Sequence, residues 1–225
     1  MNKGFAEQPP SITEKTREKI AILDVSPPSY KLRRIWQRML LGLAVLGILM
    51  ATFWWLRPYQ FHGIVLQSPT RATDFTLLAS TGSPVRLSDF RGKLVVLFFG
   101  YTACPDICPL RLAELKQTLK LLGEPANRVQ VILVTVDPLH DTVEHLQRYV
   151  SAFDPSFLGM TGSPAQINAV ATQFGIFYDP APTSAGAISH TGTITVIDAD
   201  GYVRLLFPDG LSTADMAQDL AQLIR

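Results

Sequence analysis

The sequence predicts an α/β domain with a mixed sheet flanked by helices, carried behind one N-terminal apolar helix. Three observations point there. Apolar runs that stop abruptly at Gly, Pro or Asp read as buried strands. Amphipathic stretches between them read as crossover helices. A separate uncharged run near the N-terminus has the length and uniformity of a membrane span. The chain has 225 residues, enough for one good-sized domain and an additional segment. Its net charge of +1, with no basic patch interleaved with aromatics, argues against nucleic acid as a partner.

In chain order, residues 1–34 are polar, carry Pro9-Pro10 and Pro27-Pro28, and show no apolar period, the composition of a disordered tail. Residues 35–57 form the predicted anchor. No charge occurs from Met39 to Leu56, and Trp36 and Trp54-Trp55 sit where interfacial aromatics belong. With no small-x-small site after it and a long tail before it, the run fits a cleaved signal peptide poorly. Lys31, Arg33, Arg34 and Arg38 precede the span and Arg57 alone follows closely, so the positive-inside rule leaves the N-terminus cytoplasmic. Residues 58–72 read as a tether, and residues 73–225 as the folded domain.

Within that domain, residues 75–78 and 85–87 read as a short hairpin. Residues 94–100 form a buried strand, and 109–122 a helix. A second buried strand spans 129–136, with a helix from about Thr142 to Phe153 after it. Residues 157–160 suggest a third short strand, and Ser163-Pro164 starts a helix running to Phe174. A Pro/Gly-containing loop (179–186) leads to a strand at 191–197, the turn Asp198-Ala199-Asp200-Gly201 and a partner strand at 202–207. Ser212 caps a last helix. Two crossovers plus a terminal antiparallel hairpin make this a thioredoxin-like arrangement.

The only two cysteines, Cys104 and Cys108, lie directly after the strand at 94–100, where open α/β sheets collect ligand and redox sites. Three residues separate them, one more than the usual redox spacing. In a regular helix, positions i and i+4 hold their Cβ atoms about 5–6 Å apart, whereas a relaxed disulfide wants about 3.8 Å. Metal–sulfur bonds of about 2.3 Å allow sulfurs roughly 4 Å apart. Pro105 and Pro109 disfavour a regular helix here, so a disulfide is strained without being excluded, and the spacing leans toward a metal. Thiolates select Cu(I), Zn or clusters.

Two thiolates need a third ligand. His62 sits in the tether, and His140 and His145 flank the start of a surface helix. His190, at the end of a loop and the start of a strand, is the candidate a fold could bring beside the cysteines. Asp106, Asp137 and Asp141 have turn and capping roles as their ordinary readings, the reading favoured for Asp141.

Phe99-Gly100-Tyr101-Thr102-Ala103-Cys104-Pro105-Asp106-Ile107-Cys108-Pro109 resembles the signature of the Sco/SenC family, membrane-anchored copper proteins of cytochrome c oxidase assembly. Val136-Asp137-Pro138-Leu139-His140-Asp141-Thr142 is similar to that family's Asp-Pro-x-Arg-Asp-Thr element, and Ser189-His190-Thr191 to its distal histidine. The resemblance covers residues 73–225. It implies that Cys104, Cys108 and His190 bind one copper per chain, as Cu(I) or Cu(II), in a thioredoxin-like fold.

The chain departs from the pattern at His140, where Arg is usual, and at Ser189, where Asp is common. A local salt bridge and Cu(II) affinity are what these changes put at issue.

Two functions follow from the resemblance. One is a metallochaperone that delivers copper to the binuclear copper centre of the oxidase subunit, with a carboxylate of Asp106 or Asp137 as a tuning group. The other is a thiol–disulfide oxidoreductase, in which Cys104 and Cys108 are catalytic and reduce the subunit's copper-ligand cysteines. Other copper chaperones or thioredoxin-like reductants are further expected partners. The expected location is a bacterial inner membrane with the domain in the periplasm, the alternative being a mitochondrial inner membrane facing the intermembrane space.

Overall fold

The computed structural model describes residues 30–178, 188 and 192–224. The chain divides into two compact units, Met1–Pro58 and Tyr59–Arg225. In the first, helix α1 (Tyr30–Trp55) runs for 26 residues. It is long and apolar enough to cross a membrane. The Arg57 guanidinium folds back over the Trp54 ring, 4.5 Å from its centroid, at the helix end. The tail expected at residues 1–34 falls almost entirely outside the described residues.

The second unit is one mixed sheet with helices on its faces. Its elements, in order, are β1 (Ile64–Val65), β2 (Thr76–Ala79), β3 (Pro84–Arg86), β4 (Leu94–Gly100), α2 (Ile107–Leu122), β5 (Val129–Thr135), α3 (Val143–Phe153), β6 (Leu158–Thr161), α4 (Pro164–Gln173), β7 (Ile194–Ile197), β8 (Val203–Phe207) and α5 (Thr213–Ile224). The strand order is β1-β8-β7-β4-β5-β6-β2-β3. β4, β5 and β6 are parallel; β7 joins β4 antiparallel.

β4 lies at the centre and all seven of its residues are buried, which is why its sequence is an unbroken apolar run rather than an alternation. The crossovers β4-α2-β5 and β5-α3-β6 step in the same direction, so right-handedness puts α2 and α3 on one face. α2 packs against both α3 and α5. On β4, Phe99 points to the opposite face, where its ring meets Phe174 at the end of α4 with centroids 6.1 Å apart. The turn between β7 and β8 needs Gly201, whose φ is +86°. The Arg91 guanidinium lies where a Cβ would stand.

The stretch expected to be a tether is structured. Ile64 and Val65 pair with Leu206 and Leu205 of β8, and a two-residue strand gives too short a periodic signal to be seen in the sequence. The fully buried Asp219 of α5 anchors this segment. Its carboxylate accepts the Tyr59 hydroxyl at 2.9 Å, the His62 backbone N–H at 3.1 Å and the Gly63 N–H at 2.8 Å. His62 adds an Nδ1 contact to Asp219 at 3.0 Å, and its Nε2 lies 3.5 Å from Asp215.

The hydrogen bond to Asp219 raises the His62 pKa above 6.5, against some desolvation, and the charges of Asp215 and Asp219 add to the rise. A histidine raised in the folded state contributes stability that is complete below its unfolded pKa and lost as pH rises through the folded one. Chemical denaturation at a series of pH values should therefore show wild type more stable than His62→Gln at low pH. The difference should shrink as pH rises above 6.5.

Candidate metal centre

The site is built on the ends of β4 and β5. Val136 N–H donates to the Gly100 carbonyl at 2.8 Å, extending the parallel ladder one step past the strands. Beyond it the chain turns under the control of one carboxylate. Asp141, 1% exposed, accepts the Thr102 N–H at 3.0 Å and the Thr102 and Thr135 hydroxyls, each at 2.5 Å. Thr102 belongs to the cysteine loop and Thr135 to β5, so Asp141 fastens one to the other. This departs from the capping role favoured for Asp141. The cap of α3 is Thr142, whose side chain accepts the His145 N–H at 3.3 Å.

The loop then delivers two thiols to one place. Cys104 N–H donates to the Tyr101 carbonyl at 3.3 Å, closing a turn. α2 starts at Ile107, so Cys108 lies in its first turn with Pro109 beside it. The expectation that Pro109 keeps a regular helix away from Cys108 is thus corrected. A proline in the first turn removes a donor that the helix leaves unsatisfied anyway. The Cys108 N–H donates instead to the Cys104 sulfur at 3.4 Å, while Asp106, at the N-cap position, makes no side-chain cap.

Both cysteines are free thiols, Cys104 8% exposed and Cys108 fully buried. A Cβ on Gly100 would stand 2.9 Å from the Cys108 sulfur, so only glycine lets this thiol seat over the end of β4. Burial pushes the Cys108 pKa far up, and a hydrogen bond with the Cys104 side chain pushes the same way. Left to itself, Cys108 stays a neutral thiol. A soft metal ion that displaces the proton offsets that cost of burial.

The other candidates sort clearly. His140 is exposed and its Nδ1 lies 2.8 Å from Asp137. This contact stands where an arginine was the family expectation. His145 is exposed with Nδ1 3.2 Å from the His140 carbonyl, and His62 is engaged by Asp219. Asp106 points to solvent. His190 and Ser189 lie outside the described residues, and among the described residues no group of three His, Cys, Asp or Glu forms a ready metal cluster.

Two further residues act here that the sequence does not single out as site residues. Tyr101, 3% exposed, accepts the Ile188 N–H on its hydroxyl at 3.1 Å. Arg111, one turn after Cys108 and 1% exposed, pairs with Glu114 at 2.8 Å and with Asp209. The Asp209 carboxylate also fills the space a Cβ would take at Gly192, so α2 and the segment entering β7 share a partner. Spacing on α2 gives the signal for Arg111, which shares a face with Cys108, Leu112 and Leu115.

The SCO1/SenC family model matches residues 66–225. The chain belongs to the SCO1/SenC family. It is 39% identical over 174 residues to the bovine mitochondrial SCO2 homolog, covering 75% of this chain and 64% of that protein. It therefore spans just under two thirds of that relative. A putative copper-binding protein of Stutzerimonas stutzeri is 34% identical over 64% of this chain and 72% of its own.

Among solved structures, Bradyrhizobium japonicum ScoI with copper bound is similar at 34% identity and a TM-score of 0.63, covering 68% of this chain and 99% of that one. Apo Sco1 from Thermus thermophilus is similar at 40% identity and a TM-score of 0.66, covering 73% and 98%. The thioredoxin-like fold is that of these SCO1/SenC structures. The family's cysteine signature falls on the loop that Asp141 holds.

Replacing Asp141 with Asn keeps the shape but sets an NH₂ against one of three donors. Urea unfolding of Asp141→Asn should show a loss of about 2–3 kcal/mol, the size expected for hydrogen bonds to a buried charge. An unchanged midpoint would remove Asp141 as the clamp.

Proposed function

We propose that this chain is a membrane-anchored copper carrier that supplies the binuclear copper centre of a cytochrome c oxidase subunit. The observation that carries the reading is the pair of reduced, buried thiols past the end of β4, joined by the hydrogen bond from the Cys108 N–H to the Cys104 sulfur. Two soft sulfurs brought together by the loop after β4 and the first turn of α2 fit Cu(I). Family membership supports the choice of metal, as does the relative at 34% identity whose structure holds copper.

In this reading Cys104 and Cys108 bind the cargo as thiolates and His190 is the third ligand through a neutral imidazole nitrogen. Loading one Cu(I) releases the two thiol protons. Three ligands leave Cu(I) open to a fourth donor, so an incoming thiolate of the recipient enters before any sulfur here leaves. Cys104, at the rim, is the first to release the metal. Cys108, the fully buried one, is the last.

A second reading rests on the difference in exposure between the two residues, 8% for Cys104 and none for Cys108. As a thiol–disulfide oxidoreductase, Cys104 would attack a disulfide of the recipient, expelling one thiolate and forming a mixed disulfide. Cys108 would then attack the Cys104 sulfur, releasing the second recipient thiolate and leaving Cys104–Cys108 oxidised. Two electrons pass to the recipient, and a thioredoxin-like reductant restores the pair. Burial makes Cys108 a slow nucleophile, which favours the carrier reading.

Lys31, Arg33, Arg34 and Arg38, in the N-terminal turns of α1 ahead of its uncharged run, support a cytoplasmic N-terminus with the domain in a bacterial periplasm. The mitochondrial relatives make the intermembrane space the alternative.

The test is copper stoichiometry of the detergent-solubilised, reduced full chain beside Cys104→Ala, Cys108→Ala and His190→Ala. One Cu(I) per chain is expected, with affinity reduced at least roughly a hundredfold in each variant, comparable to or above the loss from an outer-shell change. Wild type that binds no copper yet reduces disulfides rapidly would establish the second reading instead.

A further inference from the structure

The end of the sheet that carries the thiols also presents apolar side chains that the core does not use. Leu139 lies in the turn closed by the Asp141 N–H on the Asp137 carbonyl at 3.0 Å, and it is 77% exposed. Leu110, in the first turn of α2 two residues past Cys108, is 50% exposed. Ala103 and Pro105, on either side of Cys104, are exposed as well. Single apolar residues scattered over a surface need no explanation. These four are not scattered: they stand on the two segments that the Asp141 carboxylate joins through Thr102.

The charges around them have one sign. Residues 101–110, 136–147 and 208–212, which follow β4, β5 and β8, hold Asp106, Asp137, Asp141, Glu144 and Asp209 and no lysine or arginine. Asp106 and Glu144 are exposed. The nearest arginines do not cancel them. Arg111 is buried and engaged by Glu114 and Asp209, and Arg148 lies one turn past Glu144 on α3. Basic side chains gather at the other end instead, where Lys93 precedes β4 and Lys120 ends α2.

We propose that this apolar collar with its acidic surround is the docking surface for the protein that exchanges copper with Cys104, and that the partner presents an apolar patch ringed by lysine or arginine. Opposite charge steers the encounter and turns the thiol end toward the partner. Burial of Leu110 and Leu139 then holds the pair together and keeps water from the exchanging sulfur. An anionic face meets repulsion at the same surface. The inference rests on the copper-carrier reading. The exchange moves no electron: two partner thiols give up protons to bind Cu(I), and Cys104 and Cys108 take up two.

The probes are two synthetic peptides with the same cysteine pair and flanking leucines, one rich in lysine and the other in glutamate. Cu(I) transfer from the loaded full chain in neutral detergent is followed at increasing ionic strength. Transfer to the lysine peptide should be at least about tenfold faster at low salt, with the gap closing as salt screens the charges. Glu144→Lys should narrow that gap, which a difference in peptide thiol reactivity alone would not do. Leu110→Ser and Leu139→Ser should each slow transfer to the lysine peptide about fivefold, with Cu(I) affinity unchanged.

A gap that neither salt nor Glu144→Lys alters overturns the charge complementarity, and two serine variants as fast as wild type overturn the apolar collar. If wild type holds no copper, the copper reading fails. The surface is then decided by the rates at which the reduced chain opens the disulfide forms of the same two peptides: a salt-sensitive preference for the lysine peptide supports it, and equal rates overturn it.

Discussion

The site depends on one buried carboxylate. Asp141 receives three hydrogen bonds, two from Thr102 and one from Thr135, and so joins the cysteine loop to the end of β5. Without those donors a charge at 1% exposure would be costly, since a buried carboxylate is tolerated only when hydrogen-bonded. With them, the turn after β4 is held in one geometry before any metal arrives. The parallel ladder continues through Val136 and Gly100 directly beneath it, so the loop sits on a rigid base. Under the proposed carrier role this is a gain: the sulfurs need not be ordered by the metal, and the entropy of loop closure is met during folding.

On that base the two sulfurs are deliberately unequal. Cys108 is enclosed by Gly100 and the core side of α2, and burial disfavours its thiolate. Cys104 is 8% exposed, its sulfur accepting the Cys108 N–H. In the proposed carrier role, Cys108 keeps the metal inside while Cys104 meets the partner. Arg111 makes the same region resistant to separation from behind, since its buried guanidinium links α2 to the loop that carries Asp209. Glu114, on the same helix, is the second partner of that buried charge.

The long elements were legible because their signals are long. The apolar run of β4, the leucine spacing of α2 and the capping Ser163-Pro164 of α4 each identify an element within a residue or two. β1 was not legible, since two residues carry no period and its pairing with β8 spans most of the domain. The cysteine pair was visible from spacing alone, but its surroundings were not. Asp141 looks like a helix cap in sequence because it immediately precedes Thr142, the real cap. Only the fold reveals that its side chain turns back to Thr102. Tyr101 and Arg111 read as ordinary neighbours of a strand and a helix for the same reason: their partners, Ile188 and Asp209, are far away in the chain.

The central claim is that copper is held by Cys104, Cys108 and His190 together. X-ray absorption at the copper edge of the Cu(I)-loaded full chain addresses it directly, because it counts sulfur and nitrogen neighbours separately. The account predicts two sulfur neighbours and one imidazole nitrogen per copper, and a spectrum of His190→Ala that lacks the imidazole contribution. Copper with no sulfur neighbours, or a His190→Ala spectrum identical to that of wild type, would contradict it.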